Sequence, residues 1–162
     1  METLKVIFVC KQNIFRSVTA EYCLKKYLDK NNIENWSVSS AGVVAYPESM
    51  FPRLIERFKR MGVGHVVEHK QTKLNKENLE DSDFVIAMAR SQKEFIENNF
   101  NYGNVYLFTE LVGDGIDDVY DIGHIEGGTR TKEEFIDDTI DYICSKTPKL
   151  FEVLSELRTE KE

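Results

Sequence analysis

Short apolar runs alternate with longer amphipathic stretches along this chain, and that alternation sets the expected fold. Leu4–Val9 is apolar apart from Lys5, the pattern of a strand buried on both faces. A helix is predicted from Arg16 or Ser17 to about Asn31, with Ala20, Cys23, Leu24, Tyr27 and Leu28 recurring at helical spacing. Trp36–Ser40 reads as a short second strand, and Ala41–Ser49, with Gly42 and Pro47, as a loop. Phe51–Met61 is amphipathic and meets a stop at Gly62. The polar stretch from Glu68 to Ser82 has room for one short helix around Asn75–Leu79, and Phe84–Met88 is a further buried strand. Ser91 with Glu94 predicts a capping box opening a helix to about Asn99, and Val105–Phe108 is the last strand. Gly113–Arg130, rich in Gly and Asp, reads as a long surface loop. Thr131 and Glu134 predict a second capping box. The closing helix carries Ile136, Ile140, Ile143, Leu150, Leu154 and Leu157 on one face, and Pro148 is expected to kink it. Strands alternating with helices predict an α/β sandwich around a parallel sheet.

Composition narrows the partners. The 162 residues are expected to form one domain, 1–162, and their hydrophobic fraction of 41% fits an ordinary globule. A net charge of −7 argues against nucleic acid as the main partner, because a phosphate backbone demands a basic face. No apolar run approaches the ~20 residues of a membrane span, so no membrane insertion is expected. The N-terminal residues have no basic, signal-like character, which predicts no export. Three widely spaced cysteines, Cys10, Cys23 and Cys144, predict no disulfide framework and a cytoplasmic setting. No His, Cys and carboxylate cluster has metal-ligand spacing, so neither metal nor cofactor is expected. Nothing in the pattern bears on oligomeric state.

The candidate chemistry lies where the first apolar run ends, in Cys10-Lys11-Gln12-Asn13-Ile14-Phe15-Arg16-Ser17. A cysteine, five residues, then arginine and a hydroxyl residue is the spacing of a loop that curls its N–H groups round a tetrahedral oxyanion at a helix start. The loop N–H groups, the helix dipole and Arg16 all favour a thiolate at Cys10, the expected nucleophile. Arg16 is expected to hold two phosphoryl oxygens with its planar fork. Ser17 is placed to donate its hydroxyl to the sulfur. Lys11, Gln12, Asn13, Ile14 and Phe15 are the expected surroundings of the substrate, and Asn13 is a residue type that tolerates left-handed backbone.

This motif, with the order of elements, resembles the low-molecular-weight protein tyrosine phosphatase family, whose loop reads Cys-x-Gly-Asn-Ile-Cys-Arg-Ser-Pro. Ser40-Ala41-Gly42, Ala87-Met88 and Asp118-Val119-Tyr120-Asp121 are similar to the family's Ser-Ala-Gly, Ala-Met-Asp and Asp-Val-Pro-Asp-Pro segments. The resemblance implies a three-layer sandwich with a four-stranded parallel sheet of flavodoxin-like winding, the active loop following the first strand. It implies hydrolysis of phosphotyrosine, in a protein or a small aryl phosphate, through phosphocysteine. It places Asn13, Ser40 and His69 as loop supports. Asp121 is the general acid it favours, with Asp118 and Glu126 as alternatives. Tyr46, Tyr120 and His124 are the aromatic positions expected to flank a phosphotyrosine ring. The family branch acting on phosphoarginine carries threonine where this chain has Ile14, which points to the aromatic substrate.

The chain departs from the pattern at several points. Gln12 stands for the loop glycine, Val18 for the proline at the helix start, Ala89 for the aspartate after Ala-Met, and Ile122 for the proline after the acid. Phe15 stands for the second cysteine, which in many relatives pairs with the nucleophile on oxidation, so no protective disulfide is expected there. Two other readings of the same fold are a phosphoprotein-binding module without turnover and a thiol-dependent arsenate reductase. The latter needs two further cysteines in relay.

Overall fold

The computed structural model describes residues 2–115, 117–120 and 130–161. Four strands, β1 (Leu4–Cys10), β2 (Trp36–Gly42), β3 (Phe84–Ala87) and β4 (Val105–Leu107), form one sheet in the order β2-β1-β3-β4. Every pairing is parallel. That order puts β1 inside the sheet, with a topological reversal beside it where such sheets hold ligands at their carboxyl ends. Successive β1 side chains serve opposite faces. Val6, Phe8 and Cys10 join the larger core with Leu24, Leu54, Phe58 and Ile143. Ile7 and Val9 join the smaller core with Leu79, Val85 and Ile96. The larger core is covered by α1 (Arg16–Lys30), α2 (Pro52–Arg60) and α6 (Lys132–Lys161), and the smaller by α3 (Lys76–Glu80) and α4 (Arg90–Phe100). A short α5 (Phe108–Leu111) and a 3₁₀ turn at Gly64–Glu68 complete the described elements. The expected three-layer sandwich with its four-stranded parallel sheet is therefore observed.

Several local expectations shift. β2 runs on to Gly42 instead of ending at Ser40, because it pairs with the whole of β1, from Leu4 opposite Trp36 to Cys10 opposite Gly42. The capping box at Ser91 is not formed. α4 begins one residue earlier, at Arg90, and Ala89 offers no side-chain cap. The acceptor comes from a distant loop, Arg90 N–H donating to Asp118 Oδ1 at 2.8 Å. At the start of α6 the hydroxyl of Thr131 does accept the Glu134 N–H at 3.1 Å. α6 continues as helix through Pro148. Gly62, at φ +81°, supplies the left-handed step after α2, as its spacing predicted.

The expectation of no disulfide is corrected. Cys23 on α1 and Cys144 on α6 are bonded, with Cα atoms 5.4 Å apart across 121 residues of sequence. Their spacing carries no hint of this, because only the packing of α1 on α6 brings them together. Cys10 is the free cysteine, and it is buried. No helix among the described residues is long and apolar enough to cross a membrane.

Candidate active site

The first two turns of α1 are buried on every side, polar residues included: Arg16, Ser17, Thr19 and Glu21 all lie inside. Burial of charge demands partners, and those partners outline a site. β1 delivers Cys10 at its carboxyl end, and residues 11–15 turn back into α1. No side chain caps the helix start at Phe15. The N–H groups of Gln12, Ile14 and Phe15 meet no acceptor among the described residues. Open N–H groups beside a helix N-terminus form a nest for an anion.

The sulfur sits at the floor of that nest. Asn13 N–H donates to Cys10 Sγ at 3.3 Å, and Ser17 Oγ lies 2.9 Å from it. Asn13 Nδ2 donates to Ser17 Oγ at 2.9 Å, which turns the Ser17 proton toward the sulfur. Asn13 adopts φ 60°, the left-handed region anticipated from its residue type. Its amide is fully used: Nδ2 also donates to Ser40 Oγ at 2.8 Å, and Oδ1 accepts from Thr72 N–H at 2.9 Å. His69 Nε2, 3.1 Å from the same Oδ1, acts as donor because that oxygen only accepts. Ser40 and His69 thus both contact the Asn13 side chain.

Behind this layer lies Glu21, which the sequence reading did not single out. Ser40 Oγ donates to Glu21 Oε1, and Lys25 Nζ pairs with Oε2. His69 Nδ1 faces Oε1 at 3.7 Å. Burial holds His69 below the ordinary imidazole range, with Glu21 pulling upward and Lys25 adding to the downward shift. The only advance signal for Glu21 was its place one turn beyond Ser17 on α1. Thr72 and Gln71 were also missed, since both act through loop contacts that sequence periodicity does not show.

Gly42 explains how two loops approach so closely. A Cβ there would lie 2.7–2.8 Å from Gln12 C, Asn13 N and Lys11 O, all backbone atoms. Val43 and Val44 N–H groups donate to Cys10 O and Lys11 O, both at 3.0 Å. The substitution of glycine by Gln12 costs less than its residue type suggests, because Gln12 is not among the positive-φ positions. Its side chain instead accepts the Tyr46 N–H at 2.8 Å, while Gln71 Nε2 donates to Gln12 O at 2.7 Å.

Two cavities flank the loop. One, of about 420 Å³, is lined by Cys10, Lys11, Gln12, Ile14, Phe15 and Arg16 together with Glu48, Ser49, Phe51 and Lys132. Phe15 meets Phe51 edge-on with centroids 5.5 Å apart, and Lys132 Nζ stands 4.8 Å from the Phe51 ring. The other, about 520 Å³, contains Lys11, Arg16, Val43, Val44, Phe95, Asp118 and Tyr120 among its lining. Arg16 Nη1 donates to Val119 O at 2.9 Å, joining the loop to the segment between β4 and α6. Tyr120 is 52% exposed on this second cavity. Tyr46, 64% exposed, lines neither. Asp121, His124 and Glu126 lie outside the described residues. Among the described residues no group of His, Cys, Asp and Glu is arranged to hold a metal.

A parallel sheet that ends its inner strand in a cysteine, with arginine and serine closing the loop at the next helix, defines an α/β protein of the oxyanion-loop class. The family model for low molecular weight phosphotyrosine protein phosphatase matches residues 5–161, and the chain belongs to that family. It is 32% identical over 138 residues to a protein-arginine-phosphatase of Bacillus subtilis, covering 81% of this chain and 89% of that protein. It is 29% identical over 122 residues to the low molecular weight protein-tyrosine-phosphatase Ptp of Acinetobacter johnsonii, covering 74% and 82%. Among solved structures, a YwlE mutant from Bacillus subtilis superposes with a TM-score of 0.80 at 28% identity, covering 94% of this chain and 99% of that one. A low molecular weight protein tyrosine phosphatase from the same organism gives 0.79 at 27% identity, covering 96% and 99%.

Proposed function

We propose that this protein hydrolyses phosphate monoesters of aromatic alcohols, phosphotyrosine above all, through a phosphocysteine intermediate. The observation that carries the reading is the Cys10 sulfur, set at the end of β1 within 2.9 Å of Ser17 Oγ and 3.3 Å of Asn13 N–H, below an uncapped helix start. The Cys10 thiolate attacks phosphorus in line, a P–S bond forms, and the P–O bond to the leaving phenol breaks. Asp121 protonates the departing oxygen. The same carboxylate then takes a proton from water as that water attacks phosphorus. The P–S bond breaks, inorganic phosphate leaves, and the thiolate returns. Open loop N–H groups and the Arg16 fork stabilise the equatorial oxygens as charge gathers there. Ser17 stabilises the sulfur as leaving group in the second step.

A phosphoarginine substrate is the second reading, because relatives of both kinds match the chain. The cavity beside Cys10 favours the aromatic ester: Ile14 presents no hydroxyl there, and Phe15 and Phe51 form an aromatic wall. The test compares phosphate release from a phosphotyrosine peptide and a phosphoarginine protein, with chelator present throughout. Faster release from the peptide is expected. Faster release from the arginine substrate would reverse the assignment, and peptide binding without release would make the protein a recognition module.

A further inference from the structure

We propose that Lys132 is a specificity residue that receives acidic side chains beside the phosphorylated one, so that the protein favours phosphotyrosine set in an acidic stretch of a protein substrate. The inference rests on the phosphatase reading above and names the substrate class of that same site. Lys132 is the first residue of α6, is exposed, and lines the cavity of about 420 Å³ that also holds Cys10. Among the charged residues in that lining, Lys11, Arg16 and Lys132 are cations and Glu48 is an anion. The chain as a whole carries a net charge of −7. A cavity of opposite sign on an acidic molecule focuses the field where an anionic ligand arrives.

Nothing in the helix accounts for a cation at this place. The first turn of α6 is the positive end of its dipole, where Lys is disfavoured. The residues three and four further on, Phe135 and Ile136, are buried and apolar, so no carboxylate stands at helical spacing. Neighbouring guanidiniums are already paired, Arg130 with Asp138 at 2.8 Å and Arg53 with Asp137 at 2.6 Å. Lys132 and Lys11 have no carboxylate partner among the described residues. Lys132 instead lies over the Phe51 ring, Nζ 4.8 Å from its centroid, and Phe51 packs edge-on against Phe15 of the phosphate loop. That contact holds the lysine stem against the aromatic wall of the cavity and leaves the ammonium donors open to a ligand. A carboxylate carried by the substrate, entering beside the phosphorylated ring, is the partner this charge lacks. Lys11, which lines both cavities, adds to the same field. An exposed ion pair of this kind is worth about two- to fivefold in affinity.

The test uses full-length protein and two phosphotyrosine peptides of one length, with Glu on both sides of the phosphorylated residue or with Gln at the same places. Wild type should show a kcat/KM about three- to fivefold higher for the Glu peptide at low salt. The difference should lie in KM, because a contact to a flank is equally strong in ground and transition states. Salt at about 0.5 M should remove most of it. Lys132→Gln should bring the ratio of the two peptides close to one, Lys132→Arg should keep it, and Lys132→Glu should favour the Gln peptide. A merely structural role would change both peptides together and leave the ratio where it was. Equal kcat/KM for both peptides in wild type would overturn the inference. A ratio that survives in Lys132→Gln and Lys132→Glu would overturn it too, since the preference would then arise elsewhere. Phosphate release from p-nitrophenyl phosphate, which has no flanks, separates the two readings. Without that release the phosphatase reading falls, and this one with it; with it, the peptides alone decide.

Discussion

Asn13 is the residue on which the loop turns. One side chain bonds Ser17, Ser40, His69 and the Thr72 backbone while its own φ sits at 60°. Asn13→Ala would strand several buried partners and keep an unfavourable backbone angle. We expect a loss of about 3 kcal/mol, read from urea unfolding, with a large fall in kcat/KM. Oxidation is a second residue-scale matter. Cys10 is the free cysteine, Phe15 takes the place of a neighbouring thiol, and Cys23 and Cys144 are already paired with each other. Peroxide-treated enzyme should therefore regain less activity with thiol than relatives that have a second cysteine in the loop. An intact disulfide to Cys10 in a peptide map of the protected enzyme would contradict this. The spacing Cys10-x5-Arg16-Ser17 and the tolerance of Asn for left-handed backbone were legible in the sequence. Glu21 was not, because a carboxylate on an otherwise amphipathic helix looks solvent-facing until burial of the first two turns is seen.

At the scale of elements, the strand-to-helix junction depends on one backbone approach. Gly42 ends β2 where a Cβ would press on the backbone of residues 11–13. Gly42→Ala is expected to push the phosphate loop out of register, lowering stability by about 1–3 kcal/mol. Affinity for inorganic phosphate or vanadate should fall with it, measured as competitive inhibition. Unchanged inhibition would mean the two loops separate without cost. The element order and the parallel sheet were legible because β1 and β3 are short apolar runs and α1, α2 and α6 repeat at helical spacing. The start of α4 was misread for a physical reason: Ser91 and Glu94 match a local capping pattern, but the acceptor used is Asp118, 28 residues away from Arg90. Local pattern cannot report a cap supplied through tertiary structure.

At the scale of the whole molecule, a covalent tie and an ionic one help fasten α6 to the body. One is the Cys23–Cys144 bond. Closing a loop of 121 residues is worth about 5 kcal/mol in the chain-entropy picture. Cys144→Ser should lower the urea midpoint by a corresponding amount while leaving kcat unchanged, since neither sulfur lines the loop cavities. The other is Asp137, which accepts Arg53 Nε at 3.0 Å and Nη2 at 2.6 Å, and Arg57 Nη1 at 3.0 Å. These guanidiniums hold its carboxyl at about 2, below the usual 3.8. A depressed folded value means the stabilisation is present above 3.8 and drains away as pH falls toward 2. Asp137→Asn should therefore be less stable than wild type at neutral pH, and the gap should close on acidification through that window. A gap independent of pH would show that the carboxylate charge contributes nothing. In the proposed reaction Cys10 Sγ takes up phosphorus, and rapid acid quench during turnover of p-nitrophenyl phosphate, followed by peptide mass spectrometry, tests this most directly. We predict a phosphoryl group on the Cys10 peptide in wild type and none in Cys10→Ser, which should also lose turnover while retaining phosphate binding. Turnover that persists in Cys10→Ser, or an adduct found elsewhere, would contradict the account.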